Sequence, residues 1–193
     1  FEPGESILEV ARKNNIEIPT LCHLKGTTAT GACRVCVVEV ERARALVASC
    51  CAPAGNGMVV QTESPKVIEA RKMIITLLLS SGNHNCAVRG SDGENWTEFQ
   101  LRVQQDDSSG ELCPVWGDCR LQDLAYRYQV SGDRFKATET RYPMELVNPF
   151  IVRDFSRCIQ CGRCVQACNE VQVNKAISFG YRGAATKIIA AGD

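Results

Sequence analysis

Aromatic residues are scarce: Phe, Trp and Tyr make up 6% of the 193 residues, so large rings contribute little to the core. Net charge is missing as well. The 22 Lys and Arg balance the 22 Asp and Glu for a formal charge of +0, which removes the electrostatic case for gripping a nucleic-acid backbone. The densest apolar run, Met73 to Leu79, is far shorter than the ~20 residues of a bilayer span. No G-x-G-x-x-G follows a strand and no G-x4-G-K-[ST] occurs, so neither a dinucleotide nor a nucleoside triphosphate site has a motif. The 2 histidines, His23 and His84, are the only candidate bases for a Cys–His nucleophile. No internal repeat is visible. What abounds is cysteine, 12 in 193, about 6% and still short of the ~8–10% of a disulfide mini-protein. These cysteines need a specific role.

Three segments separate by pattern. In residues 1–63, Ile7, Leu8, Val10 and Ala11 share a helical face, while CVVEVE, LVASC and GMVVQT are patterned as strands. Residues 64–135 open on a helix: Ser64 as cap, Pro65 at its first position, apolar spacing of three to four, and a stop at Gly82. A long polar tract follows, read as an insertion over 87–112, and then the amphipathic CRLQDLAYRY. Residues 136–193 carry the short strand PFIVRD, a cysteine run with helical character in CVQACNEVQ, and the candidate strands AISFGYRG and TKIIAA. The fold class is α+β. Beginning at Phe1 and closing at Asp193 just after a strand, the sequence is expected to continue at both ends.

Cys158, Cys161, Cys164 and Cys168 are spaced C-x2-C-x2-C-x3-C. That is the bacterial ferredoxin run, with Asn169 in place of its terminal proline. Two-residue gaps bring thiolates onto one compact core, whereas zinc sites separate two pairs by a longer loop. Cys22, Cys33, Cys36 and Cys50 are spaced C-x10-C-x2-C-x13-C: three ligands on a glycine-containing loop and a fourth on a later strand. This follows the plant-type [2Fe–2S] logic with a longer first gap, and a zinc ribbon is its rival. Gly26 and Gly31 would let the loop fold back. Cys51 adjoins Cys50, and consecutive strand residues face opposite sides, so one of the two is expected to reach the metal. The third set is His84, Cys86, Cys113 and Cys119. On chemistry alone it suits structural zinc and a cluster with three cysteines and one histidine equally. These sets use all the cysteines but Cys51, and the close pairs suit metals better than disulfides.

In this order, IPTLCH, GACRVCVVEVE, LVASCCAP, GMVVQT, CRLQDLAYRY and NPFIVRDFSRCIQCGRCVQACNEVQ resemble one known iron–sulfur region. It is shared by the complex I large subunit, the cytosolic [FeFe] hydrogenases, the diaphorase small subunit of soluble [NiFe] hydrogenases and cytosolic formate dehydrogenase α subunits. The closing VNKAISFGYRGAATKI is most similar to formate dehydrogenase α. The resemblance implies a β-grasp [2Fe–2S] ferredoxin domain whose first hairpin precedes Phe1, held by Cys22, Cys33, Cys36 and Cys50. It implies a helical His-Cys domain with a [4Fe–4S] cluster on His84, Cys86, Cys113 and Cys119, although Cys86 and Cys113 lie 26 residues apart where the family has two. The last domain is implied to be a partial bacterial-type [4Fe–4S] ferredoxin. There Cys158, Cys161 and Cys164 await a fourth thiolate from a second run, and Cys168 serves the other cubane.

The expected role is an electron relay within a multisubunit oxidoreductase, with no substrate site and no catalytic residue in this stretch. Single electrons would pass between a catalytic centre elsewhere, formate dehydrogenase-like, and a flavin- and NAD(P)-bearing diaphorase-type partner, with a small [2Fe–2S] subunit as a further partner. The alternatives within the family are an [FeFe] hydrogenase or a complex I-type relay. From another class comes a zinc-stabilised interaction module, and a free ferredoxin-like carrier is the remaining rival. The expected location is cytoplasmic, without a transmembrane segment. His84 is expected to raise its cluster's potential, since a neutral imidazole replaces an anionic thiolate. Arg157 and Arg163 flank the ferredoxin run as possible tuning charges.

Overall fold

The computed structural model describes residues 1–82, 84, 115, 117–130, 134–135, 142–146 and 150–190. Helix α1, Ile7–Lys13, starts at Ser6, whose hydroxyl accepts from the Glu9 N–H while the Glu9 carboxylate accepts from the Ser6 N–H. Such a reciprocal cap contributes about 1 kcal/mol. It turns Ile7, Leu8 and Ala11 inward. They meet β1, Val37–Val40, the centre of an antiparallel three-stranded sheet flanked by β2, Val47–Ala48, and β3, Val60–Gln61. Val38, Ala48, Cys36 and Cys50 complete this first core.

Helix α2 runs Pro65–Ser80 with Ser64 as its cap and Pro65 at its start, as the sequence pattern predicts. Its Ile75 and Leu79 pack with Leu121, Leu124, Ala125 and Tyr128 of α3, Arg120–Tyr128, and with Leu21 and Val35 of the cysteine loop. The loop therefore sits between two cores. Val35 faces the helices and Cys36, its neighbour, faces the sheet.

In the closing segment α4, Arg163–Gln166, passes into a π-helical turn, Ala167–Val171. β4, Ile177–Gly180, and β5, Lys187–Ala190, form an antiparallel hairpin. PFIVRD does not make a strand among the described residues. Arg153 forms an isolated bridge with Glu145, and Phe150, Ile151 and Val152 are exposed rather than alternating against a sheet. No helix among the described residues is long and apolar enough to cross a membrane.

Candidate iron–sulfur sites

The loop from Cys22 to Cys36 turns through Gly26 and Gly31 at φ of 82° and 60°, a region where only glycine escapes a Cβ penalty. Arg34 also adopts a positive φ of 60°, and its carbonyl closes a turn with the Val37 N–H at 3.3 Å. Strain of about 1–3 kcal/mol at a bulky residue persists only where surrounding structure holds it. Here that support is a buried arginine. Arg71 of α2 is fully buried and donates to the Val35 and Val37 carbonyls at 3.1 and 2.8 Å, either side of Cys36. It also reaches the Tyr128 hydroxyl at 3.0 Å and Glu63 at 2.9 Å.

Four thiols result, arranged as two pairs. The Cys22 N–H donates to Cys33 Sγ and the Cys33 N–H to Cys22 Sγ, both at 3.4 Å, and the Cys36 and Cys50 sulfurs lie 3.4 Å apart. Cys22, Cys36 and Cys50 are buried and none of the four is in a disulfide. Within each pair the two thiols are shifted in opposite directions. Its contact with the Cys33 thiol holds Cys22 down at about 5, and the contact with the Cys50 thiol holds Cys36 at about 6. Cys33 and Cys50 are pushed up in turn, first by those same contacts and then by burial. The Ser49 hydroxyl, fully buried, donates to the Cys36 carbonyl at 2.8 Å and fixes the second pair. Two pairs suit a two-iron core, in which each iron takes two thiolates, whereas a single tetrahedral ion draws four ligands to one point.

Cys51 departs from the strand expectation. β2 ends at Ala48, and the Cys51 and Ala52 N–H groups both fold back onto the Ala48 carbonyl at 3.0 Å. In that turn consecutive side chains no longer alternate, so Cys51 Sγ lies 3.5 Å from Cys50 Sγ while remaining exposed. Cys50 is the buried member and shares its pair with Cys36.

The ferredoxin run divides differently. Cys158 and Cys164 line a cavity of about 630 Å³ together with Ile151, Phe155, Ile177 and Ile188. Cys161 and Cys168 are not among its lining residues, and the Cys168 sulfur lies 3.6 Å from Asn174 Oδ1 and accepts from the Ala176 N–H at 3.3 Å. Gly162, at φ 75°, separates Cys161 from the helix, and a Cβ there would come 3.3 Å from the Phe179 ring. Arg157 is engaged, donating from Nε to Asp154 at 3.0 Å, while Arg163 is exposed.

Of the third set, Cys86 and Cys113 lie outside the described residues. Cys119 caps α3 and packs against the second core. The His84 Nε2 is buried with no hydrogen-bond partner. Burial first, and then the Arg157 charge, lowers its pKa, leaving a neutral imidazole with a free lone pair, the form that binds metals. Gly82 permits this placement: a Cβ there would collide with the Ser156 carbonyl oxygen and stand 3.2 Å from His84 Nε2. Gly82→Ala should therefore destabilise the protein by about 1–3 kcal/mol through overpacking. Thermal unfolding checks this, and an unchanged midpoint would contradict that packing.

Residues 1–65 match the model of a 2Fe-2S iron-sulfur cluster binding domain, and residues 148–192 that of the NADH-quinone oxidoreductase subunit 3 ferredoxin-like domain. A chain in the crystal structure of the NAD+-reducing [NiFe]-hydrogenase in the H2-reduced state is 30% identical, with a TM-score of 0.80 over 98% of this chain and 70% of that one. The chain belongs to this hydrogenase and NADH-quinone oxidoreductase iron–sulfur family. The NADP-reducing hydrogenase subunit HndD of Solidesulfovibrio fructosivorans is 34% identical over 93% of this chain and 28% of its own. The mitochondrial NADH-ubiquinone oxidoreductase 78 kDa subunit of Candida albicans is 31% identical over 95% of this chain and 22% of its own. The chain thus spans between 22% and 28% of these two curated relatives. Within the family it is an iron–sulfur electron-transfer region carrying a [2Fe–2S] and a [4Fe–4S] ferredoxin-like domain. Neither motif matching nor residue spacing points to Arg71, although one cue is present in the sequence: it stands at i+4 from Val67 and i−4 from Ile75, on the apolar stripe of α2.

Proposed function

We propose that this chain relays single electrons between a catalytic centre lying outside the stretch and a flavin- and NAD(P)-bearing diaphorase-type partner, with a small [2Fe–2S] subunit alongside. The observation that carries the reading is the two-pair geometry of Cys22 with Cys33 and Cys36 with Cys50, which fits a one-electron centre and offers nothing to a substrate. On this reading residues 1–63 are a β-grasp domain holding [2Fe–2S]. Residues 64–135 are a His-Cys domain in which His84, Cys86, Cys113 and Cys119 hold [4Fe–4S]. Residues 136–193 are part of a ferredoxin in which Cys158, Cys161 and Cys164 serve one cubane and Cys168 another. Bound clusters would supply delocalised one-electron storage, and the chain's own contribution is to bury the thiolates and aim N–H groups at them. The names of the relatives favour hydrogen or NADH at the catalytic end, while VNKAISFGYRGAATKI keeps formate as a candidate.

Anaerobic purification followed by iron, sulfide and zinc analysis and EPR of the dithionite-reduced protein tests the reading. A brown protein with separate [2Fe–2S] and [4Fe–4S] signals is expected. A colourless protein with stoichiometric zinc would replace the relay with a zinc-stabilised module. His84→Cys provides a finer check: its cluster should persist with a midpoint potential lower by on the order of 100 mV, since imidazole ligation raises potentials. An unmoved potential would remove His84 from the ligand set.

A further inference from the structure

We infer that Gln166 and Glu170 are positioning residues that lock the ferredoxin-run turn onto the [2Fe–2S] loop and so set electron exchange between the two sites. The inference rests on the relay reading above and concerns residues outside the cysteine sets. Thr28 lies on the loop between Cys22 and Cys33, and both of its backbone groups are taken by the far end of the chain. Its N–H donates to Glu170 Oε2 at 2.7 Å, and its carbonyl accepts from Gln166 Nε2 at 2.6 Å. These contacts span 142 and 138 residues of sequence.

The placement of the two side chains is what gives the contact its reach. Gln166 stands midway between Cys164 and Cys168, and Glu170 follows Cys168 by two. Being four apart, they share one helical face, and that face meets Thr28. Gln166 ends α4 and Glu170 lies in the π-helical turn Ala167–Val171 that follows, an irregularity frequent at functional sites. Gln166 is 6% exposed, so its amide is held rather than swept through solvent. Two hydrogen bonds to one residue, one donated and one accepted, fix rotation as well as separation, as a single bond cannot. Glu170 is exposed at the rim. Its carboxylate adds negative charge beside thiolate-bearing loops, so its value here lies in accepting the Thr28 N–H, a task a neutral glutamine oxygen performs equally well.

The test uses the whole protein with its clusters assembled. EPR relaxation of the reduced [2Fe–2S] signal reports the magnetic influence of the reduced ferredoxin-type cluster, and rapid-freeze reduction reports transfer between them. Gln166→Ala combined with Glu170→Ala should leave iron and sulfide content unchanged, lose most of the relaxation enhancement and slow transfer at least tenfold. Glu170→Gln should retain wild-type coupling, a rescue that a charge effect would not show. Gln166→Leu roughly keeps the volume and removes the amide, of which only Nε2 is bonded to Thr28 while Oε1 has no partner. This substitution should weaken the coupling by itself, and it gives the answer if the double variant fails to assemble. Wild-type relaxation and transfer in the double variant, or in Gln166→Leu where that stands in for it, would overturn the positioning role. A wild-type protein with both clusters reduced and no coupling would overturn it too, leaving the relay reading intact. A wild-type protein without a [2Fe–2S] signal would overturn both.

Discussion

Cys50→Ala is expected to abolish the [2Fe–2S] EPR signal, whereas Cys51→Ala should leave its g-values and intensity unchanged. The two sulfurs are only 3.5 Å apart, so proximity does not separate them. Burial and partnership do. Cys50 is 4% exposed and lies 3.4 Å from Cys36 Sγ inside the first core. Cys51 is exposed, and its sulfur is directed to the Ala29 carbonyl at 3.7 Å and confined by Gly31, where a Cβ would come within 2.9 Å. Loss of Cys50 removes half of one pair, leaving Cys36 without the thiol that stabilises its thiolate and an iron position with one protein ligand. Iron bound per chain should fall by most of the two-iron complement. A Cys50→Ala protein that keeps its signal, and loses it only when Cys51 is also replaced, would show that the exposed sulfur takes over.

Arg71→Ala should cost about 3–5 kcal/mol, since it leaves several buried acceptors unsatisfied at ~1–3 kcal/mol each. That is a large share of the ~5–15 kcal/mol that holds a domain together. The cost does not come from the Glu63 ion pair, since Glu63 is 45% exposed and its contribution is screened. It comes from the Val35 and Val37 carbonyls and the Tyr128 hydroxyl, which lose a charged donor in an environment that gives them no water. Arg71→Lys should recover only part of the loss, because one ammonium cannot span three acceptors as a guanidinium fork does. Urea unfolding of the cluster-bound protein, followed by loss of visible absorbance, measures this. A midpoint within error of wild type for Arg71→Ala would show that the carbonyls find other partners.

Local chemistry makes much of the fold legible in advance. Ser64, Pro65 and Gly82 bracket α2 correctly because caps and breakers act over a few residues, and CVVEVE and TKIIAA form strands where alternation or apolar runs are bounded by turns. Of the first set only Cys33 and Cys36 are tied by a short gap; the contacts of Cys22 with Cys33 and of Cys36 with Cys50 close over longer stretches, which the glycine loop and the β1–β2 pairing bring back together. Cys51 escapes the strand rule for a definite reason. Alternation applies within a strand, and β2 stops two residues before Cys50. PFIVRD has strand composition, but among the described residues it forms only the isolated Glu145–Arg153 bridge. Long-range contacts leave no local trace at all: nothing near Thr28 announces that its backbone will be bonded by Gln166 and Glu170.

The buried arginine also bears on where this protein can be cut. The 2Fe-2S binding domain is matched over residues 1–65, a boundary that falls just as α2 begins and six residues before Arg71. Cut there, the piece would retain all four paired cysteines yet leave two carbonyls beside Cys36 unbonded and Val35 stripped of the helices that cover it. The unit of recurrence and the unit of folding differ here by one helix. A fragment ending after Ser80 restores the arginine, one ending after Tyr128 restores the cover as well, and soluble expression should improve in that order.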